Sequence, residues 1–257
     1  MSGAMLAAGT LWQRELTRFF RQPSRVAGAI GTPLVFWLFM GSGLAGSFRL
    51  PGAGGSGGGG VSYLQFFFPG TIALVLLFAA IFSTISVIED RHEGFLQAVL
   101  VSPVSRGAIV AGKVLGGATL AWLQGVVFLL LAPLAGIPLS VSSLLEAAGV
   151  LALLAVSLTA IGFGFAWKVD SVQGFHAVMN VVLLPMWLLS GSFFPLAGAP
   201  RWLGLLMRLN PLTYGIAALR GTLAATTSIA TPVAITAALA LAAFAADLLV
   251  TRGGRVE

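Results

Sequence analysis

Side chains able to do chemistry are scarce in this 257-residue chain, which has eight carboxylates, two histidines and no cysteine. Gly107-Ala-Ile-Val-Ala-Gly112-Lys113 has the G-x-x-x-x-G-K spacing of a phosphate-binding loop. Val114, however, stands where that loop needs a hydroxyl for magnesium, no strand precedes it, and the stretch opens an apolar run. Lys113 is instead expected to reach lipid headgroups, because an ammonium left in the apolar layer would cost about 2.5–3.5 kcal/mol. His92 and His176 have no carboxylate pair on a shared face, so no metal site is expected. Gly191-Ser192 has no histidine near it in sequence, and no catalytic residue is assigned. Without cysteine, disulfides and thiolate metal sites are excluded. Glu146, Asp170 and Asp247 fall near the ends of apolar runs, whereas ion-coupled carriers place carboxylates or broken helices near the midplane.

Charge is concentrated instead between Glu89 and Arg106. Pro103 should stop a helix there, and Phe95, Leu96, Val99 and Leu100 form an apolar stripe at i, i+1, i+4 and i+5. Glu89, Asp90 and Glu93 sit at or before the start of that short helix, where the helix dipole favours anions. Lying across the ends of two rigid spans, it would act as a lever for a docked protein; the alternative is an ordinary solvated loop.

The elements around this segment follow from composition. Residues are 58% hydrophobic and 9% charged, where a soluble domain has roughly a quarter charged. Apolar runs approach or exceed the ~20 residues that cross a bilayer. We read six spans, at 26–47, 65–88, 108–131, 144–167, 175–196 and 231–250, in one membrane domain covering 1–257. In residues 1–25, Trp12, Leu16, Phe19 and Phe20 recur at helical spacing, with Arg14, Arg18, Arg21 and Arg25 on the opposite face. That pattern predicts an interfacial helix with its cations among anionic headgroups, rather than a cleavable signal. Pro23 should end or bend it. The glycine run PGAGGSGGGG at 51–60 lacks a following Gly-Lys-Ser/Thr and reads as a flexible loop. Segment 199–223 is amphipathic and interrupted at Asn210-Pro211. Gly112 with Gly116, and Gly162 with Gly164, permit close helix approach, within the bundle or against a second copy.

The formal charge of +6 does not point to nucleic acid, because the cations cluster at the ends of apolar runs. Six spans put both termini on one side. Arg14, Arg18, Arg21, Arg25, Arg91, Arg106, Lys113, Lys168, Arg252 and Arg255 lie there, against Arg49, Arg201, Arg208 and Arg220 opposite. The positive-inside rule then makes the termini and the 89–106 segment cytoplasmic.

Two motifs resemble a known family. Glu93-Gly94-Phe95-Leu96-Gln97, followed by Leu100-Val101-Ser102-Pro103-Val104-Ser105-Arg106, resembles the cytoplasmic segment of type-2 ABC exporter permeases, the transmembrane subunits of ATP-binding cassette transporters. Phe95 replaces the usual threonine and Gln97 a common glutamate. Leu189-Ser190-Gly191-Ser192-Phe193-Phe194-Pro195-Leu196, with Pro200-Arg201-Trp202-Leu203 and Asn210-Pro211-Leu212-Thr213-Tyr214, is similar to the family's segment between the fifth and sixth spans.

The resemblance implies an all-α polytopic membrane protein. It would have six transmembrane helices, an N-terminal amphipathic interface helix, a cytoplasmic coupling helix between spans 2 and 3, and short outer-side helices between spans 5 and 6. It implies ATPase coupling through Glu89, Arg91, Glu93, Gly94, Leu96, Ser102, Pro103 and Arg106. It implies an interface helix carrying Trp12, Arg14, Arg18, Arg21 and Arg25, and an outer gate at Gly191, Phe193, Phe194, Pro195, Pro211, Tyr214 and Arg220. The chain would be a non-enzymatic permease, binding no cofactor itself, with ATP and Mg in a cytoplasmic ATPase partner subunit. A second permease copy or paralogue and membrane lipid would be its other partners. The setting would be a bacterial or archaeal plasma (inner) membrane, and the cargo an amphipathic drug, lipid or glycan. A self-powered secondary carrier and a membrane-embedded enzyme or scaffold are the alternatives.

Overall fold

The structure, a computed structural model, describes residues 3–44, 61–224 and 228–253. The expected glycine loop at 51–60, the end of the first expected span at 45–47, and Arg49 and Arg255 lie outside the described residues, as do the side chains of Arg25 and Arg252.

All regular structure among the described residues is helical: α1 (Gly3–Phe20), α2 (Pro23–Gly43), α3 (Tyr63–His92), α4 (Phe95–Val101), α5 (Arg106–Leu129), α6 (Val141–Lys168), α7 (Val172–Trp187), α8 (Arg201–Leu209), α9 (Pro211–Ala224) and α10 (Ala230–Gly253). Among the described residues, five segments are long and apolar enough to cross a membrane: α3, α5, α6, α7 with its continuation to Ser192, and Ala230–Thr251 within α10. The apolar stretch of α2, Ala27–Gly43, is shorter.

Hydrophobic all round, α3 is the axis of the bundle, as such a helix must be. Phe67, Phe68, Ile72, Val75, Leu76 and Ile88 are fully buried along it, and α2, α5, α6 and α7 pack around it. Its start is a reciprocal cap. Ser62 Oγ accepts from Gln65 N (3.2 Å) and Gln65 Oε1 accepts from Ser62 N (3.0 Å). The Gln65 amide also donates to Gly136 O (3.0 Å), fastening α3 to the turn after α5.

The glycine pairs are used within the chain. A Cβ at Gly112 would meet Leu11 and Ala8, and one at Gly116 would meet Glu15 at 2.9 Å, so α1 lies directly on α5. Gly162 abuts Thr84, and Gly164 abuts the carboxylate of Asp247. Pro23 does not bend α1. It is the first residue of α2, where a missing N–H leaves no bond unmade.

Two ends of the bundle emerge. α1, α4 and the C-terminal end of α10 gather at one, where Arg106 donates to Thr251 O. At the other, the start of α3 meets the end of α7, and α8 and α9 form a hairpin turning at Asn210-Pro211.

Candidate functional site

The segment 89–106 divides differently from expectation. α3 continues to His92, so Glu89 and Asp90 occupy its last turn rather than the start of the short helix. A helix C-terminus repels anions, and the expected dipole support is therefore reversed. Cations from two other helices supply the compensation. Gly94, at φ +78, then turns the chain in the left-handed region, and a Cβ there would meet no atom within 4 Å; backbone conformation alone demands glycine. α4 follows, with Leu96 buried beneath it and Val101 86% exposed. Ser102 closes it, its Oγ donating to Val99 O (2.6 Å), and Pro103 cannot continue it. Ser105 Oγ accepts from Ala108 N (3.3 Å) and opens α5.

Asp90 is 0% exposed and lies at the centre of a knot of charges. Arg14 of α1 grips it bidentately, Nη1 to Oδ2 at 2.8 Å and Nη2 to Oδ1 at 2.7 Å. Arg18, one turn on, donates to Asp90 Oδ1 (2.6 Å), Glu89 Oε2 (2.9 Å) and Glu93 Oε1 (3.3 Å). Lys113 of α5 donates to Glu15 Oε1 (2.5 Å), to Asp90 Oδ2 and to Ser86 Oγ (3.3 Å). Ser86 Oγ donates in turn to Glu15 Oε2 (2.7 Å). The Arg14 guanidinium also lies 3.8 Å above the Phe95 ring, tying α1 to the first residue of α4. Its hydrogen bonds to Asp90 raise the Arg14 pKa above the ordinary guanidinium value.

These contacts correct two expectations. Lys113 does not reach headgroups; it is buried between two carboxylates. Arg14 and Arg18 do not sit among headgroups but on the acidic end of α3. The buried face of α1 is Leu11, Glu15 and Phe19, while Trp12 and Phe20 are exposed. Trp12 Nε1 donates to Thr119 Oγ1 (3.1 Å), and Arg21 is exposed.

The other flank of the corner is held by Arg91. Its guanidinium donates to Val169 O (3.1 Å), Trp167 O (2.5 Å) and Ala166 O (3.4 Å), satisfying the last carbonyls of α6. His92 Nε2 meets Asp170 O at 2.7 Å.

At the opposite end, a π turn over Leu188–Ser192 leaves α7, with Gly191 at φ +82. Phe193 packs edge-on to Trp187 (4.9 Å between centroids) and against Phe67 (5.1 Å), and its carbonyl accepts from Tyr63 Oη (3.3 Å). Arg220 of α9 donates to Gly191 O (3.0 Å) and Phe66 O (3.4 Å), 4.3 Å over the Phe66 ring. Phe194, Pro195 and Pro211 are half-buried. Tyr214 Oη donates to Arg208 O (2.7 Å), and Asn210 Nδ2 to Met186 O (2.5 Å), bracing the hairpin corner. Gly191, Phe193 and Arg220 thus converge on the first turns of α3, with Pro211 and Tyr214 at the hairpin corner.

Sequence reasoning named Glu89, Arg91 and Glu93 but left Glu15, Ser86, Asp90 and Lys113 out of the site. A signal was there: Glu15 is four residues from both Leu11 and Phe19, and a carboxylate on a helix's buried stripe demands a cation.

This chain is similar to proteins of known family. A family model described as ABC-2 type transporter matches residues 7–224. A putative transport permease, ycf38, of Cyanophora paradoxa is 32% identical over 161 residues, covering 62% of this chain and 56% of that protein. Nodulation protein J of Rhizobium leguminosarum bv. trifolii is 28% identical over 223 residues, 86% of this chain and 82% of that protein. The inner membrane transport permease YadH of Escherichia coli (strain K12) is 28% identical over 218 residues, 84% of this chain and 82% of that protein.

Proposed function

The chain belongs to the ABC-2 type transporter family, and from that premise we propose that it is the permease subunit of an ATP-driven exporter. It forms the substrate path, and a separate cytoplasmic nucleotide-binding subunit hydrolyses ATP. One observation carries this reading: α4 projects from a corner pinned on both sides, by α1 and α5 through Asp90 and by α6 through Arg91. A push on such a helix displaces the axis helix α3 rather than dissipating in a loop. The stretch that most resembles a phosphate loop supports the division of labour, since its Lys113 is already bonded to Glu15 and Asp90.

The proposal has six spans, with α2 as the first, and an outer-side hairpin of α8 and α9. It puts α4 and both termini in the cytoplasm of a bacterial or archaeal inner membrane. The arginine tally supports that orientation, and so does the gathering of α1 and the end of α10 beside α4. A relative named as an inner membrane transport permease agrees with the setting. Two permease copies, or this chain and a paralogue, enclose the path amid membrane lipid. Glu89, Arg91, Glu93, Gly94, Leu96, Ser102, Pro103 and Arg106 serve ATPase coupling. Gly191, Phe193, Phe194, Pro195, Pro211, Tyr214 and Arg220 serve the outer gate. Cargo is a drug, lipid or glycan.

The test is co-purification with the ATPase subunit and reconstitution in vesicles. ATP-dependent transport is expected, with Glu93→Ala and Pro103→Ala retaining ATPase activity while transport falls about tenfold or more. Transport unaffected by both changes would refute the coupling role. A second reading rests on Asp247 of α10, buried with its Oδ2 unpartnered; a proton-driven carrier would use such a group. Transport driven by a pH gradient without ATPase, and abolished by Asp247→Asn, would establish that reading instead.

A further inference from the structure

The outer hairpin contains an arginine edge with no partner among the described residues. From residue 171 to 246 there is no carboxylate, yet Arg201, Arg208 and Arg220 all fall there. Arg220 is accounted for by two carbonyls and a ring. Arg201 and Arg208 are exposed and form no side-chain hydrogen bond or ion pair among the described residues. Glu146, the one described carboxylate at this end, forms no ion pair either.

α8 presents three faces. Met207 is buried against the rest of the hairpin. Trp202, Leu205, Leu206 and Leu209, spaced i, i+3, i+4 and i+7, form an apolar stripe left open, with Trp202 67% and Leu209 72% exposed. Arg201 and Arg208, seven residues apart, share the edge of that stripe beside Leu205. Depth makes the edge unusual. The helix is closed by Asn210, which is bonded to Met186 O, and Met207 lies beside Gly191, whose neighbour Ser192 abuts Gly70 well inside α3. Arg208 is therefore below the level of the start of α3. Left unpaired against lipid tails at that depth, its guanidinium would cost about 2.5–3.5 kcal/mol, a cost that an anionic group beside it would lift.

We propose that this edge and stripe are a recognition site for an anionic amphiphile, a molecule with a phosphate or carboxylate head on an apolar chain, which is the cargo class of the transporter. The head is gripped by Arg201 and Arg208, whose forked donors match such oxygens, and the chain lies along Trp202, Leu205, Leu206 and Leu209. The proposal rests on the export reading above, but its first test is a binding measurement that needs no ATP.

The permease with its ATPase subunit is held in nanodiscs of phosphatidylcholine, and binding of dodecyl phosphate is compared with that of dodecyl maltoside. Arg201→Gln with Arg208→Gln is expected to weaken dodecyl phosphate about tenfold or more, the usual scale for charge-assisted hydrogen bonds, and to leave dodecyl maltoside unchanged. Arg208→Lys, which keeps the charge but loses the fork, is expected to weaken dodecyl phosphate less than Arg208→Gln does. Equal loss for both amphiphiles, or no loss for either, overturns the proposal. So does a change in permease pairing with dodecyl phosphate binding intact, which would make the edge a contact between copies. Displacement of dodecyl phosphate by phosphatidylglycerol at equal molar strength would reduce it to an ordinary lipid contact. Anion-selective binding in a preparation that shows no ATP-dependent transport of any cargo would defeat the export reading and leave the site standing.

Discussion

The two ends of α3 are secured by opposite means. At the α4 corner, carboxylates of α1 and α3 interlock with cations of α1 and α5, so that Glu15, Asp90 and Lys113 are all sealed from solvent. At the hairpin end, one guanidinium, two amides and two phenols bond to backbone carbonyls, and rings fill the rest. A knot of buried charges resists partial opening, because each ion left behind is unpaired in a low-dielectric site. Carbonyl contacts break singly, and the acceptor each leaves behind is a neutral carbonyl. The α4 end is therefore built to move as one body and the hairpin end to loosen in steps, as the proposed coupling and gate roles would require.

The largest effect that would break this comparison is Lys113→Met. It leaves Glu15 with Ser86 and a looser Arg14 contact (3.5 Å), and Asp90 short of one cation. Removing one partner of a buried ion set costs about 3–5 kcal/mol. A global loss is expected: a lower melting temperature and faster exchange of amides along α1, α3 and α5 together. Adding Glu15→Leu should restore part of the loss, since the orphaned carboxylate goes with its cation. An unchanged melting temperature would mean that the knot does not hold the corner.

Much of the bundle was legible in advance. The end of α4 was set by Pro103, a local covalent constraint, and the five longest apolar helices by long apolar runs. Two things were not legible, and both concern orientation rather than composition. Whether Glu89 and Asp90 end one helix or start another turns on Gly94 adopting a positive φ, which a sequence permits but does not announce. Which face of α1 is buried depends on Gly112 and Gly116 admitting the backbone of α1 against α5. Once that face is known, Glu15 and Lys113 must pair. The resemblance named Gly191 and Arg220 in one group, yet the bonds from Arg220 to Gly191 O and Phe66 O cross 29 and 154 residues, beyond the reach of periodicity.

A smaller and more local effect is expected from Arg220→Met. Gly191 O and Phe66 O lose a donor, while a buried charge is removed at the same time. The net loss should be about 1–2 kcal/mol. Amides of 188–196 should exchange faster while those of α1 and α4 stay protected. Spread of the effect to α4 would show that the two ends are not independently secured.

The smallest effect separates two contacts of one residue. Arg91 touches both the Asp170 carboxylate, at 3.3 Å, and the last carbonyls of α6. Asp170 is 95% exposed, so its ion pair is screened and held loosely, and Asp170→Asn should change stability by less than about 0.5 kcal/mol. Arg91→Gln removes the cap itself and should cost about 1–2 kcal/mol, because three helix-end carbonyls lose their donors in a half-buried site. If the two changes proved equal, the α6 flank would be secured by charge, like the α1 flank. The expected inequality makes it a backbone clasp of the same kind as the outer hairpin, but one pulled taut beside a fixed knot.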